Sequence, residues 1–178
     1  MGIQIGAKPD SGFDDPIGML KDCHRRIEQF LQILCVVVDR ATGRALSEDE
    51  AAAVRSALTY FKIGGIRHTA DEEESLFPRM RAEEKTAGAV KEIDALETQH
   101  READELHAVV DQLHSRWLEG NALSSEDDKQ LGRMTERLKR LYEGHIQVEE
   151  SLVFPRAAEG LGKGAIAAIG EEFRARRK

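Results

Sequence analysis

Two stretches of the chain repeat one reactive pattern. HTADEEESLFP at residues 68–78 and HIQVEESLVFP at 145–155 both read His-x-x-x-Glu-Glu, with Phe nine and Pro ten residues after the histidine. A histidine and a glutamate four residues apart lie about 40° apart around an α-helix and roughly 6 Å along it, so each pair can aim at one inward point. His68 with Glu72, and His145 with Glu149, are such pairs. One pair alone is most often a contact between neighbours on a turn. Two lone histidines extend the repeat: His24 precedes His68 by 44 residues, and His100 precedes His145 by 45. Each half therefore reads as a helical hairpin with one His on its first helix and one His-x-x-x-Glu on its second. Two such halves would pack with approximate two-fold symmetry and bring the six side chains together.

Burying four imidazoles and two carboxylates without a strong partner is costly, whereas a metal satisfies all of them at once. Imidazole with carboxylate suits iron, manganese or zinc, and calcium and magnesium are disfavoured because they take all-oxygen shells. Two carboxylates that each bridge a pair of ions would give every ion two nitrogens and two oxygens. That leaves room for a solvent-derived bridge and an open position, where dioxygen, nitric oxide or peroxide would react.

The elements that must hold these residues are helices. Asp15-Pro16 is a cap and first-turn pair, followed by Ile17, Leu20, His24, Ile27, Leu31, Leu34 and Val38 at steps of three and four. Ser47 and Glu50 form a capping-box pattern that opens a second helix, expected to stop at Phe77 before Pro78. A third runs from about Gly88 to Leu118 with Gly120 as its stop signal, and a fourth from Ser124 or Ser125 to Phe154 before Pro155. His24, His68 and His145 then fall at one height, roughly 12 to 14 Å from one end of an antiparallel bundle, and His100 can reach the same layer. The fold class is all-α, an up-down-up-down antiparallel four-helix bundle over 14–157. Residues 1–13 are expected to be a flexible segment and 158–178 a tail or short fifth helix carrying Ile166, Ile169 and Phe173.

Length and composition agree with one helical domain. The chain has 178 residues, 33% of them charged and only 5% aromatic. Its formal charge of −7 argues against nucleic-acid and anionic-membrane partners, and the basic end Arg174, Arg176, Arg177 and Lys178 is read as solvated. The first dozen residues lack a secretory pattern and no window nears ~18 apolar residues. Cys23 and Cys35 on one helix would lie roughly 18 Å apart along its axis, beyond a disulfide's reach, which suits a reducing cytoplasm.

The ordered set H, H-x-x-x-E, H, H-x-x-x-E on four successive helices, with Phe-Pro after each paired motif, resembles the hemerythrin-like HHE cation-binding domain over residues 14 to 157. The resemblance implies a non-haem di-iron centre with an oxo or hydroxo bridge, His24, His68, His100 and His145 as terminal ligands, and Glu72 and Glu149 as bridges. Oxygen-carrying hemerythrins have a second histidine one turn after the third-helix ligand, where this chain has Asp104. The pattern is therefore closer to the branch of iron-sulfur cluster repair and stress-linked proteins, although the amino-terminal cysteine segment of some repair proteins is absent. The implied activity is binding of, or reaction with, dioxygen, nitric oxide or peroxide in sensing, stress defence or iron handling. Alternatives are a peroxide-dismuting or nitric-oxide-reducing enzyme, an iron donor for cluster repair, and a metal-free interaction module. A ferritin-like site fits poorly because it uses Glu-x-x-His spacing.

Other polar residues have plainer readings. His107 and His114 lie about 10 and 21 Å beyond His100 along the helix, too far for the same metals. Asp104 is read as supporting a ligand, Glu28 as a surface acid, and Tyr142 as packing near His145. Glu73, Glu74 and Glu150 are rotated about 100° or 200° from the two bridges and are expected to face solvent or neighbouring helices. Gly64 and Gly65 cost roughly 1 kcal/mol each relative to Ala inside a helix and mark a bend, a close contact or a small-ligand route.

Overall fold

The structure is a computed structural model that describes residues 10–178, so residues 1–9 of the segment expected to be flexible lie outside it. All regular elements among the described residues are helical. They are α1 (Pro16–Ala41), α2 (residues 48–82), a 3-10 turn (Glu84–Ala89), α3 (Val90–Trp117), α4 (residues 125–160) and α5 (Lys163–Ala175). None of the described helices is long and apolar enough to cross a membrane.

The helix starts follow from local chemistry. The Asp15 carboxylate accepts from the Gly18 amide at 2.9 Å with Pro16 next to it, Ser47 and Glu50 close a reciprocal capping box, and Ser124 accepts from Asp127. Gly43 and Gly120 take φ of 79° and 97° in the links after α1 and α3, a region where a side chain would be strained. Trp117 donates its indole N–H to the Arg44 carbonyl at 2.9 Å, tying the end of α3 to the α1–α2 link.

The expected stops at Pro78 and Pro155 do not occur. Each proline instead sits in the first turn of a helical segment that continues the run, Phe77–Ala82 in α2 and Phe154–Gly160 in α4. The reason is a π-helical turn immediately before each one, Glu72–Leu76 and Glu149–Val153. A proline ring collides with the carbonyl four residues back, here that of Glu74 or Ser151, and the wider turn opens the ladder at those carbonyls. A third π turn, Phe61–Gly65, contains Gly64 and Gly65.

Two apolar clusters form the core. One gathers Ile27, Leu31 and Leu34 with Val54, Leu58, Phe61, Leu106, Val110, Trp117, Leu131 and Leu138. The other gathers Leu20, Leu76, Phe77, Met80, Ile93, Leu96, Val153, Phe154, Ile169 and Phe173. Each of α1 to α4 contributes to both, and His24, His68, His100 and His145 lie at or near the change from one contribution to the other. Helix α1 packs on α2 and α4, and α3 on α4, while α2 meets α3 through Phe77–Ala82 and through the contacts of Phe61 with His107, Lys62 with Asp111 and Glu73 with His100.

Helix α5 is tied across α1 and α2. Ile169 and Phe173 are buried, Arg79 pairs with Glu172 at 2.7 Å, and Arg176 and Arg177 reach the fully buried Asp71 at 2.9 and 2.5 Å. The two arginines read as solvated are thus paired with a carboxylate next to Glu72. Phe13 packs against the second cluster, and its carbonyl lies so close to Gly170 that an added Cβ would stand 1.9 Å from it.

This contact gives a contrast between two helical glycines. Gly170→Ala forces the backbone of residue 13 away and is expected to destabilise by about 1–3 kcal/mol. Gly144→Ala, where nothing lies within 4 Å, is expected to stabilise by up to about 1 kcal/mol. Thermal melts of both variants check it; equal shifts would show that the Phe13 contact is not made in solution.

Candidate metal centre

All six residues singled out by type and spacing are buried, and the structure brings them into one layer between the two apolar clusters. They form two groups of four: His24, His68, Glu72 and Glu149, and Glu72, His100, His145 and Glu149. Within each group one atom per residue lies within 4.8 Å of all the others, and both carboxylates belong to both groups.

The oxygens divide in a regular way. Glu72 Oε1 lies 3.5 Å from Nε2 of His68 on its own helix, and its Oε2 lies 3.4 Å from Nε2 of His100. Glu149 repeats this, with Oε1 3.2 Å from His145 Nε2 and Oε2 3.0 Å from His24 Nε2. Each carboxylate therefore offers one oxygen to each group, the arrangement a bridging carboxylate needs. The rings pair accordingly, His24 with His68 at 4.9 Å between centroids and His100 with His145 at 4.7 Å.

Three of the outward ring nitrogens are held, two by acids that the sequence turned away from the site and one by Gln99, which the sequence did not single out. Glu150 lies 2.8 Å from His24 Nδ1, Glu73 2.7 Å from His100 Nδ1, and the Gln99 amide oxygen 2.9 Å from His145 Nδ1. An acceptor at Nδ1 fixes the N–H there and leaves the Nε2 lone pair pointing inward. Glu73 and Glu150 do face solvent and neighbouring helices as expected, part-exposed at 37% and 40%, and what each carboxylate meets on the neighbouring helix is the ring of a histidine of the layer. The acid after each shared glutamate reaches the lone histidine of the other hairpin, so the repeat itself was the signal that could have found this pairing. The symmetry breaks once. The repeat counterpart of Gln99 is Cys23, which makes no bond to His68, and His68 Nδ1 is buried without a partner.

Electrostatics shows how poorly the cluster suits protein atoms alone. Burial and the neighbouring Glu149 push the Glu72 carboxyl well above the usual carboxylate range. Burial also opposes a charge on His24, but Glu149, Glu72 and Glu150 outweigh it and lift that imidazolium to about 9. His24 Nε2 and all four oxygens of Glu72 and Glu149 lack a hydrogen-bond partner. Each buried unsatisfied group costs roughly 1–3 kcal/mol, so five approach the whole stability of an ordinary domain. Cations in the two groups would satisfy all five, and the imidazole and carboxylate donors fit iron, manganese or zinc.

The remaining candidates lie outside this layer. Asp104 is exposed and makes no hydrogen bond or ion pair with the six, against its reading as support for a ligand. Tyr142 and His107 form a pair, hydroxyl to Nε2 at 3.1 Å, with the tyrosine ring edge-on to His145 at 6.3 Å. His114 is buried and bonds the Val110 carbonyl, Glu28 is exposed, and Cys23 and Cys35 are free.

Comparison with known proteins agrees with this geometry. A protein of Haemophilus influenzae described as an uncharacterized protein is 29% identical over 175 residues, covering 93% of this chain and 92% of its own. The model of the hemerythrin HHE cation binding domain matches residues 15–168, a span that contains all six clustered residues. With most of its length inside that match, the chain belongs to the hemerythrin HHE cation-binding family.

Proposed function

We propose that this chain is a non-haem di-iron protein that binds or reacts with dioxygen, nitric oxide or peroxide in sensing, stress defence or iron handling. The observation that carries the reading is the pair of four-residue groups sharing both carboxylates. His24 and His68 would hold one ion, His100 and His145 the other, and Glu72 and Glu149 would bridge them. Bound iron supplies one-electron redox change and an open position for a small ligand. The chain's own part is to present the inward nitrogens, to hold each ring through Glu150, Glu73 and Gln99, and to shield the layer with apolar side chains above and below. Reversible binding and turnover would use the same six residues.

The same reading takes the bundle as up-down-up-down. It is supported by the order in which each helix meets the two clusters: α1 and α3 pass from Leu20 and Leu96 towards Ile27 and Leu106, α2 and α4 from Phe61 and Leu138 towards Phe77 and Phe154. Two free thiols suit the reducing cytoplasm expected for the chain.

Metal analysis of protein purified without added metal should give close to two irons per chain, with an absorption spectrum that changes on adding dioxygen, peroxide or nitric oxide. Protein that carries no transition metal and takes up no ferrous iron would overturn the reading in favour of a metal-free module. Verified iron removal should lower the melting temperature by roughly 5–10 °C, the effect of losing a ligand present at about a hundred times its dissociation constant in a chain of this size. An unchanged melt would mean that the protein satisfies the layer without metal.

The shared and the tethering acids should differ in degree. Glu72→Ala or Glu149→Ala removes an oxygen from both groups and should abolish the pair of irons. Glu73→Ala or Glu150→Ala releases one ring and should weaken metal affinity about 10- to 100-fold while leaving a loaded centre at high iron. Titration with ferrous iron and the spectrum of the loaded variants separate the two classes, and full iron affinity in the Glu73 and Glu150 variants would show that the ring tethers are incidental.

A further inference from the structure

Between Phe61 and Glu74 of α2 and Asp104 and Asp111 of α3 lies a cavity of about 450 Å³, spanned at its sides by the contacts of Phe61 with His107, Lys62 with Asp111 and Glu73 with His100. We infer that this cavity is the route by which small molecules reach the six-residue layer, and that its charge admits neutral molecules while holding anions back. The inference rests on the metal-centre reading above and adds which ligands reach that centre and from which side.

The cavity touches the layer at two places. Glu73, in its wall, lies 2.7 Å from His100 Nδ1, and Tyr142, also in its wall, sets its ring against that of His145. Its apolar and aromatic lining comprises the buried Leu58 and Phe61, Ala70, the rings of His107 and Tyr142, and the exposed Ile66 and Ala108. The Tyr142 hydroxyl is engaged by His107, and burial pushes the His107 imidazole down to about 4, so the pair adds no positive charge. A water occupies about 30 Å³ of liquid, so the space is ample for a diatomic or a peroxide. Ile66 stands at the mouth 66% exposed, an apolar lip on α2. Two other cavities among the described residues serve the layer less well. One, between α1 and α4 near Cys35 and Asp128, has no wall residue bonded to the layer. The other, beside Arg25 and Lys139, shares only Tyr142 with this route.

The charge argument is direct. Four carboxylates line the cavity, those of Glu73, Glu74, Asp104 and Asp111, against one amine, Lys62. Lys62 pairs with Asp111 at 2.9 Å and Arg176 reaches Glu74 from outside at 3.2 Å, which leaves Glu73 and the exposed Asp104 uncompensated by a cation among the described residues. An anion must pass this net negative charge near low-dielectric walls before it comes under the attraction of the cations in the layer, so its approach is slowed, whereas a neutral molecule carries no charge for the wall to repel.

The test uses the iron-loaded full chain, with nitric oxide as neutral probe and azide as anionic probe, each followed by rapid mixing, and xenon-pressurised crystals of the metal-free chain. Xenon should lie between Phe61, Ile66 and Tyr142. The double variant Ile66→Trp, Ala108→Phe closes the mouth at two exposed positions, so it should fold and load iron normally while slowing both probes several-fold and excluding xenon. Gln32→Trp, filling the hollow beside Lys139, should change neither rate. Asp104→Lys should speed azide roughly three- to fourfold at low salt, as expected for two charge units about 10 Å from the layer in water, with nitric oxide unaffected. The azide rate of the unmodified protein should rise with ionic strength. Unchanged rates in the double variant, or slowing by Gln32→Trp instead, would overturn the route. An azide rate indifferent to Asp104→Lys and to salt would overturn the selectivity. A chain that takes up no iron would defeat the metal reading instead, and xenon found only in the other cavities would then overturn the route by itself.

Discussion

The structure is organised around one electrostatic constraint: two carboxylates and four imidazoles buried in a single layer at the middle of a narrow bundle. No apolar packing compensates for their lost hydration, and their own mutual contacts leave five of their inward atoms unsatisfied. The rest of the molecule arranges itself to make that layer tolerable and useful. Apolar clusters flank it on both sides. Glu150, Glu73 and Gln99 hold three rings from behind, so that the inward lone pairs are set before any ion arrives. The π turns begin at Glu72 and Glu149 themselves, the points where a carboxylate must reach both its own helix's histidine and that of a neighbour.

What the sequence makes legible is what depends on spacing along one helix. The i, i+4 pairs, the apolar steps of three and four, and the caps at Asp15, Ser47 and Ser124 are local, and all six clustered residues lie where the repeat puts them. Pairings between helices are another matter. Glu73 and Glu150 are turned by about 100° from the shared acids on an ideal helix, and nothing local says that a ring from another hairpin stands there to receive them. Asp71 with Arg176 and Arg177 is separated by more than a hundred residues, so the arginines look like a solvated end until α5 is laid across α2. Pro78 and Pro155 misled in a different way: their local signal is a stop, but the preceding wide turn removes the clash that would make it one.

The repeat carries more than the ligand positions. It exchanges support between the halves, because the lone histidine of each hairpin is held by the acid of the other. A hairpin alone would leave both its lone ring and its spare carboxylate without partners, which favours the two halves docking as a unit. The layer and the docking of the hairpins are thus one interaction seen twice, and a change in either is felt in the other.

The departures from symmetry then distinguish the two groups of ligands. On the side of His100 and His145, both outward nitrogens are held, and the α2–α3 cavity approaches through Glu73 and Tyr142. On the side of His24 and His68, Cys23 replaces the glutamine of the repeat and His68 Nδ1 has no partner. A ring held at its outer nitrogen keeps its direction when an exogenous molecule arrives, whereas one fixed only by packing is free to adjust. An ion between His100 and His145 would therefore sit in the more rigid and more accessible half, the place for an open position. An ion between His24 and His68 would sit in the enclosed half, where its task is to share the two carboxylates and the charge.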